Sequence, residues 1–202
     1  MKRQTTTLAL SLLVLTLTLF GCTHYIASRG WVTLIDGETG MENFSPSGND
    51  ANWRAADGAI QADKATGKGS STLVSKKSYK DFDLLVEFWS AEDTNSGIYI
   101  RIRNPTNVST STGAYEVQIW DKNPNPAYST GSLVNVAEVK PIYKAAGRWN
   151  TFEIHANGPE ITVKLNGVVT VSARDDRFPE GRLGIQYNGG PIKVRKMLIR
   201  EL

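Results

Sequence analysis

Hydrophobic and polar positions alternate with period two along most of the chain beyond position 31, and each alternating run stops at a cluster of Gly, Pro, Asn or Asp. Period two puts successive side chains on opposite faces of a strand, so the pattern predicts an all-β body. Phe82, Leu84, Val86 and Phe88 alternate with Asp83, Leu85, Glu87 and Trp89. After an Asn95-Ser96-Gly97 turn, Ile98, Ile100 and Ile102 alternate with Tyr99, Arg101 and Arg103. Tyr115, Val117 and Ile119 then alternate with Glu116, Gln118 and Trp120. Phe152 and Ile154 oppose Glu153 and His155, and Ile161, Val163 and Leu165 run into Asn166-Gly167. That dipeptide suits the positive φ angles of a tight hairpin, which returns Val168 to Val171 as a partner strand. Leu183, Ile185 and Tyr187 precede a Gly189-Gly190 break, and Ile192 to Leu202 close the chain as a last strand. The strongest helical candidate is a turn or two near Asp175 to Phe178. Many short strands separated by turn signals predict a two-sheet jelly-roll sandwich, with loops at 104–113 and 122–141 on its rim.

The first 30 residues follow a different pattern. Lys2 and Arg3 precede a 13-residue apolar run, Leu8 to Phe20, too short to span a bilayer, which takes about 20 residues. A basic start, a short apolar centre and Leu19-Phe20-Gly21-Cys22 predict an export signal over 1–21 with Cys22 as a lipidation site, similar to a bacterial lipobox. Ordinary cleavage nearby is the alternative. Cys22 is the single cysteine, so no internal disulfide forms. Residues 22–30 read as a polar tether and 31–202 as one domain, in the envelope of a bacterium, lipid-anchored and facing the periplasm or the surface. Loss of Lys2 and Arg3 with the signal lowers the net charge from +3 to +1, which leaves no basic face for nucleic acid.

The outward face of the three central strands carries the candidate chemistry. It holds Glu87, Trp89, Tyr99, Arg101, Arg103, Glu116, Gln118 and Trp120, aromatics interleaved with carboxylates, guanidinium groups and an amide. Sugars fit that mixture, because their C–H faces stack on Trp and Tyr while their hydroxyls bond Arg, Glu and Gln. The plainer alternative is that Trp89 and Trp120 fill gaps under loops and Arg101 pairs with Glu116 for stability alone. The two histidines, His24 and His155, give no zinc spacing. Gly67-Lys68-Gly69-Ser70 lacks a phosphate-loop context and reads as a turn before a strand starting at Ser71. Asp36-Gly37-Glu38-Thr39-Gly40 lacks the acidic repeat of a calcium loop. No Gly-x-Ser-x-Gly elbow is present.

Further segments carry a resemblance: Leu34-Ile35-Asp36-Gly37, Trp53 with Asp57-Gly58, Tyr79-Lys80-Asp81-Phe82-Asp83-Leu84, Asn95-Ser96-Gly97-Ile98, Tyr115 to Asp121, Gly147-Arg148-Trp149-Asn150 and Gly184-Ile185-Gln186. Together they resemble the bacterial 3-keto-disaccharide hydrolase family, DUF1080, over nearly all of 31–202. The resemblance implies a concanavalin-like or laminin-G-like jelly roll of the lectin and glucanase type. Where that family often has Gln-x-His-Gly, this chain has Gln186-Tyr187-Asn188-Gly189, and Val134 stands where an aromatic often follows Gly-Ser-x. The implied substrate is an oligosaccharide or 3-keto-glycoside, whose C3 carbonyl acidifies the C2 proton, so that elimination followed by hydration cleaves the glycosidic bond. Such a route needs a base and a donor to the developing enolate. On this reading Glu116 is the base and Arg101 the enolate stabiliser. Asp121 is the reserve base, or a metal ligand if a divalent cation takes the electrophilic role of Arg101. Glu87, Trp89, Tyr99, Arg103, Gln118, Trp120, Gln186 and Asn188 hold the sugar. No cofactor beyond that cation is implied. Hydrolysis by two carboxylates is disfavoured, because Glu116-x-Gln118-x-Trp120 keeps only the first carboxylate of the glucanase pattern. A non-catalytic glycan-binding lipoprotein is the rival reading.

Overall fold

The computed structural model describes residues 30–202, apart from Thr112 and the side chain of Lys68. The signal at 1–21, the lipidation site Cys22 and the tether up to residue 29 lie outside the described residues. The described chain forms thirteen strands. They are β1 (Trp31–Asp36), β2 (Phe44–Ala51), β3 (Arg54–Ala56), β4 (Ala59–Ala62), β5 (Ala65–Tyr79), β6 (Phe82–Ser90) and β7 (Ser96–Ile102). The rest are β8 (Tyr115–Ile119), β9 (Trp149–Asn157), β10 (Glu160–Leu165), β11 (Val168–Arg174), β12 (Gly181–Tyr187) and β13 (Ile192–Glu201). They pair antiparallel in two sheets. One runs β11-β10-β9-β6-β13-β4-β3, with β1 also along β13, and the other runs β2-β5-β12-β7-β8. This is the jelly-roll sandwich that the alternating pattern predicts.

The alternation explains the core. Phe82, Leu84, Val86 and Phe88 of β6, Phe152 and Ile154 of β9, and Met197 and Ile199 of β13 are buried from the eight-stranded sheet. They meet Leu73, Ile98, Ile100, Val117, Leu183 and Ile185 from the five-stranded sheet. Phe88 and Phe152 stack with centroids 4.7 Å apart. Asn166 and Gly167, with φ of 52° and 81°, make the tight turn between β10 and β11.

Four features differ from the sequence expectations. First, β6 does not lie beside β7. Its neighbours are β9 and β13, and the chain crosses to the other sheet at 91–95, where Asn95 N donates to Gly189 O at 2.8 Å. Period two fixes the face a residue takes and leaves its neighbouring strand open. Second, Asp175 to Phe178 forms no helix, because the Asp175 carboxylate accepts instead from Arg177 N and from the Tyr115 hydroxyl, at 3.0 and 2.7 Å. The described helical piece is a 3-10 turn at Met41–Asn43. Third, Gly67 to Ser70 lies inside β5 rather than ahead of it.

The fourth difference is Arg101. Its φ of 55° breaks the alternation of β7, so its side chain turns inward and Ile102 takes the outer face. Arg101 is fully buried. Its guanidinium donates to Lys80 O at 2.9 Å, Gly158 O at 2.8 Å, Phe178 O at 3.4 Å and Asp81 Oδ1 at 3.2 Å, tying together two turns and the segment before β12. Gly181 passes so close that a Cβ there would stand 2.4 Å from the Arg101 carbonyl carbon, so this kink requires glycine opposite it. Replacing Arg101 by Leu leaves several buried carbonyls and Asp81 without their donor. It is expected to lower the unfolding free energy by about 3 kcal/mol or more, read as a shift in denaturant midpoint. An unchanged midpoint would contradict this interior role.

Candidate functional site

Register places one continuous outer face on the five-stranded sheet. Ser47 pairs with Thr72, Thr72 with Gln186, Gln186 with Gly97, and Gly97 with Gln118. The next row in the same direction is Ser45, Val74, Gly184, Tyr99 and Glu116. Residues between these rows, such as Leu73, Ile98, Val117 and Ile185, belong to the core, so both rows look away from it. The segment 131–134 extends the sheet beyond β8: Gln118 N donates to Ser132 O at 3.0 Å and Val134 N to Glu116 O at 3.0 Å. Leu133 bridges to Val117 on the core side, which puts Ser132 on the outer face next to Gln118.

Glu116 lies on β8, at the end of this face that the 131–134 segment flanks, and is 4% exposed. Its carboxylate rests above Gly97, where an added Cβ would stand 2.5 Å from Glu116 Oε1. Glycine is therefore what lets the carboxylate lie across β7 towards β12. Burial pushes the Glu116 carboxyl up to about 7, and hydrogen bonding from Tyr99 and Gln186 opposes the shift without cancelling it. Tyr99 is raised above its ordinary value by its own burial and by the adjacent Glu116, so it stays a neutral phenol. Gln186 Nε2 donates to the Tyr99 oxygen at 2.8 Å, which leaves the phenolic proton for another acceptor.

Three buried polar side-chain atoms lack a hydrogen-bond partner among the described residues: Glu116 Oε1, Gln186 Oε1 and Ser132 Oγ. All three lie on this one face, on β8, on β12 two strands away, and on the segment flanking β8. Unpaired buried polar atoms are costly, so three of them on one face make it the candidate site for a ligand.

The other sequence candidates are distributed as follows. Gln118 is on the face, buried, with its side-chain oxygen accepting from Ile119 N at 3.1 Å. Half-buried Trp120 and exposed Asn188 stand just past the ends of the parallel-running β8 and β12, at the same rim. Arg103 follows β7 and is exposed, its backbone N–H bonded to Gly113 O at 2.8 Å. Arg101 is turned inward and cannot reach the face. Glu87 and Trp89 belong to the outer surface of the other sheet, where Glu87 accepts from Arg195 Nε at 2.7 Å and Lys193 sits over the Trp89 ring. Asp121 is buried in a loop, and both of its carboxylate oxygens are engaged. Thr130 Oγ1 donates at 2.5 Å, and Ala145 N and Ala146 N donate at 2.7 and 2.8 Å. It pins the 121–146 segment and is not a free base or cation ligand. Among the described residues no group of three or more His, Cys, Asp and Glu gathers to hold a metal ion.

Sequence reasoning missed Ser132, Thr72 and Gly97 as parts of the site. Gly97 carried a signal, since glycine inside a strand marks close approach of another group. Ser132 appeared only within the Gly-Ser-x segment of the resemblance, because 131–134 is too short for its alternation to read as a strand.

The raised Glu116 fixes a pH dependence of stability. Its folded value of about 7 exceeds the ordinary 4.5, so between these values the folded state holds a proton that the unfolded chain has released. The contribution is fully present below pH 4.5 and is lost as pH rises through about 7. Glu116→Gln, neutral throughout, is expected to gain stability relative to the parent protein between pH 5 and pH 8 in denaturant titrations. A difference independent of pH would mean a solvated carboxylate.

Comparison with known proteins agrees with the fold and gives the family. No curated protein matches the chain in sequence. Two solved structures of putative glycosyl hydrolases from Parabacteroides distasonis superpose with TM-scores of 0.71 and 0.68 at 19% and 23% identity. The first alignment covers 86% of this chain and 94% of the other, the second 85% and 99%. The carbohydrate-binding module CBM66 from Bacillus subtilis superposes with a TM-score of 0.55 at 15% identity, over 85% of this chain and 96% of the module. At these identities the likeness is one of fold, a lectin-like jelly roll. A family model described as the 3-keto-alpha-glucoside-1,2-lyase-like domain matches residues 30–200. By that match, which spans both sheets and the whole Glu116 face, the chain belongs to the 3-keto-alpha-glucoside-1,2-lyase-like domain family.

Proposed function

We propose that the protein cleaves the glycosidic bond of 3-keto-glycosides on the outer face of the five-stranded sheet, with Glu116 as general base. Membership of the family supports the substrate class. The observation that carries the site is that the unpartnered Glu116 Oε1, Gln186 Oε1 and Ser132 Oγ lie on one sheet face, because a sugar presents a ring of hydroxyl groups to such atoms.

The chemistry follows from these groups. Glu116 takes the C2 proton, and the electron pair of that C–H bond passes into the C3 carbonyl as an enolate. The enolate then collapses to a C1–C2 double bond as the C1–O bond breaks, and the departing alkoxide takes a proton back. Addition of water across that double bond completes a net hydrolysis. A base with a value near 7 is matched to this proton transfer at neutral pH. With Arg101 turned inward, the enolate donor is the Tyr99 hydroxyl, whose oxygen already accepts from Gln186. Gln118, Trp120 and Asn188 position the ring. No second carboxylate stands beside Glu116 on the two register rows, which favours elimination over two-carboxylate hydrolysis. The basic start, the short apolar run and Cys22 after it support the reading of a lipid-anchored protein of the bacterial envelope.

Release of sugar from a 3-keto-glycoside by the domain, followed across pH, tests this reading. kcat/KM is expected to rise with pH and level off above about 7. Glu116→Gln is expected to lower kcat by about 10²–10⁴-fold while sugar affinity persists. Cleavage retained in that variant would remove Glu116 as the base. Sugar binding by the parent protein without cleavage of any 3-keto-glycoside would favour the glycan-binding reading.

A further inference from the structure

The three unpartnered atoms fall on two sides of the site. The register row Gln186, Gly97, Gln118 and Ser132 crosses β12, β7, β8 and the 131–134 segment, each member paired directly to the next. Glu116 Oε1 rests over Gly97, the one position of that row without a side chain. Gln186 therefore stands one strand spacing from the carboxylate, about 4.8 Å, and Ser132 two spacings away on the opposite side, about 10 Å.

Each side has its own chemistry. Gln186 Nε2 holds the Tyr99 oxygen at 2.8 Å, so the phenol belongs with Gln186 on the β12 side. On the other side the Gln118 side-chain oxygen is held by Ile119 N at 3.1 Å, and its Nε2 has no partner among the described residues. Ser132 Oγ, fully buried, has none there either. Half-buried Trp120 follows Gln118 at the rim of this side, its N–H held by Thr130 Oγ1 at 2.9 Å.

Connectivity within the sugar orders the two sides. C2, whose proton goes to Glu116, is bonded to C3 in one direction and to C1 in the other. With the C3 oxygen at the Tyr99 hydroxyl, C1 and the bond that breaks point towards β8. We infer that the 3-keto sugar lies across the strands with its ketone towards β12 and its leaving group towards the 131–134 segment, where Gln118 and Ser132 bond the leaving unit. The inference rests on the reading of Glu116 as base and Tyr99 as enolate donor. The leaving oxygen is about 2.5 Å from C2, and a pyranose measures about 5 Å between opposite oxygens, by ordinary bond lengths. Gln118 Nε2 thus meets the departing oxygen, and Ser132 Oγ meets a hydroxyl on the far side of a leaving sugar. A methyl leaving group ends short of Ser132.

The probes are maltose carrying a ketone at C3 of its non-reducing unit and methyl α-glucoside carrying the same ketone. Ser132→Ala is expected to lower the disaccharide-to-methyl ratio of kcat/KM by about five- to tenfold, as for loss of one neutral hydrogen bond. Gln186→Leu, which touches the unit common to both substrates, is expected to weaken both and leave the ratio unchanged. A ratio that Ser132→Ala leaves unchanged, or that Gln186→Leu lowers instead, overturns the orientation. If the parent protein cleaves neither substrate, the reading of Glu116 fails separately. Calorimetry with maltose and methyl α-glucoside then decides the assignment of Ser132: a maltose preference that Ser132→Ala abolishes supports it, and no preference in the parent protein overturns it.

Discussion

Glu116 sits buried on the outer face of β8 with amides, a phenol and a glycine around it and no cation pairing with it. Desolvation of its carboxyl, uncompensated by opposite charge, is the constraint on which the site depends. Were a guanidinium within reach, the acid would be an ordinary ion pair, ionised at neutral pH and too weak a base for a carbon acid. The inward rotation of Arg101 is thus part of the same arrangement. It removes the nearest cation of β7 from the face and spends it on three backbone carbonyls and Asp81 inside the fold. Gly97 supplies the complementary half, an empty Cβ position over which the carboxylate lies.

The two outer surfaces of the sandwich have different character. On the eight-stranded sheet the aromatics are paired with cations: Lys193 over Trp89, Arg195 over Trp149 and Arg200 over Trp31. Carboxylates there are partnered, Glu87 and Asp83 salt-bridged to Arg195 and Arg200, with His155 Nδ1 hydrogen-bonded to Asp83. These groups satisfy one another at the surface. On the five-stranded sheet the polar groups are left incomplete. Incompleteness, rather than richness in aromatics, distinguishes the surface proposed to meet a ligand.

The fold was legible in the sequence because burial imposes period two wherever one face is covered, and β6, β8 to β10, β12 and β13 follow it, as does β7 up to Arg101. The Asn166-Gly167 turn was legible for the same local reason. What escaped was non-local. Nothing in the alternation of Phe82 to Phe88 says that β6 pairs with β9 and β13 instead of β7, so Glu87 and Trp89 were assigned to a face they do not share with Glu116. Arg101 escaped through a single backbone angle, since one residue at φ of 55° reverses the face of those after it. Asp121 looked available by position and is consumed by Thr130, Ala145 and Ala146, partners up to 25 residues away. Glu116, Tyr99, Gln118 and Gln186 were found because they sit where alternation is unbroken.

The most direct test of the central claim is titration of the Glu116 carboxyl itself, by carbon-detected NMR of glutamate-labelled protein with Glu116→Gln for assignment. A midpoint near 7 is the result expected from a buried acid without a cationic partner. A midpoint at or below 4.5 would mean that the carboxylate is solvated or ion-paired, and the proposed base would be lost with it.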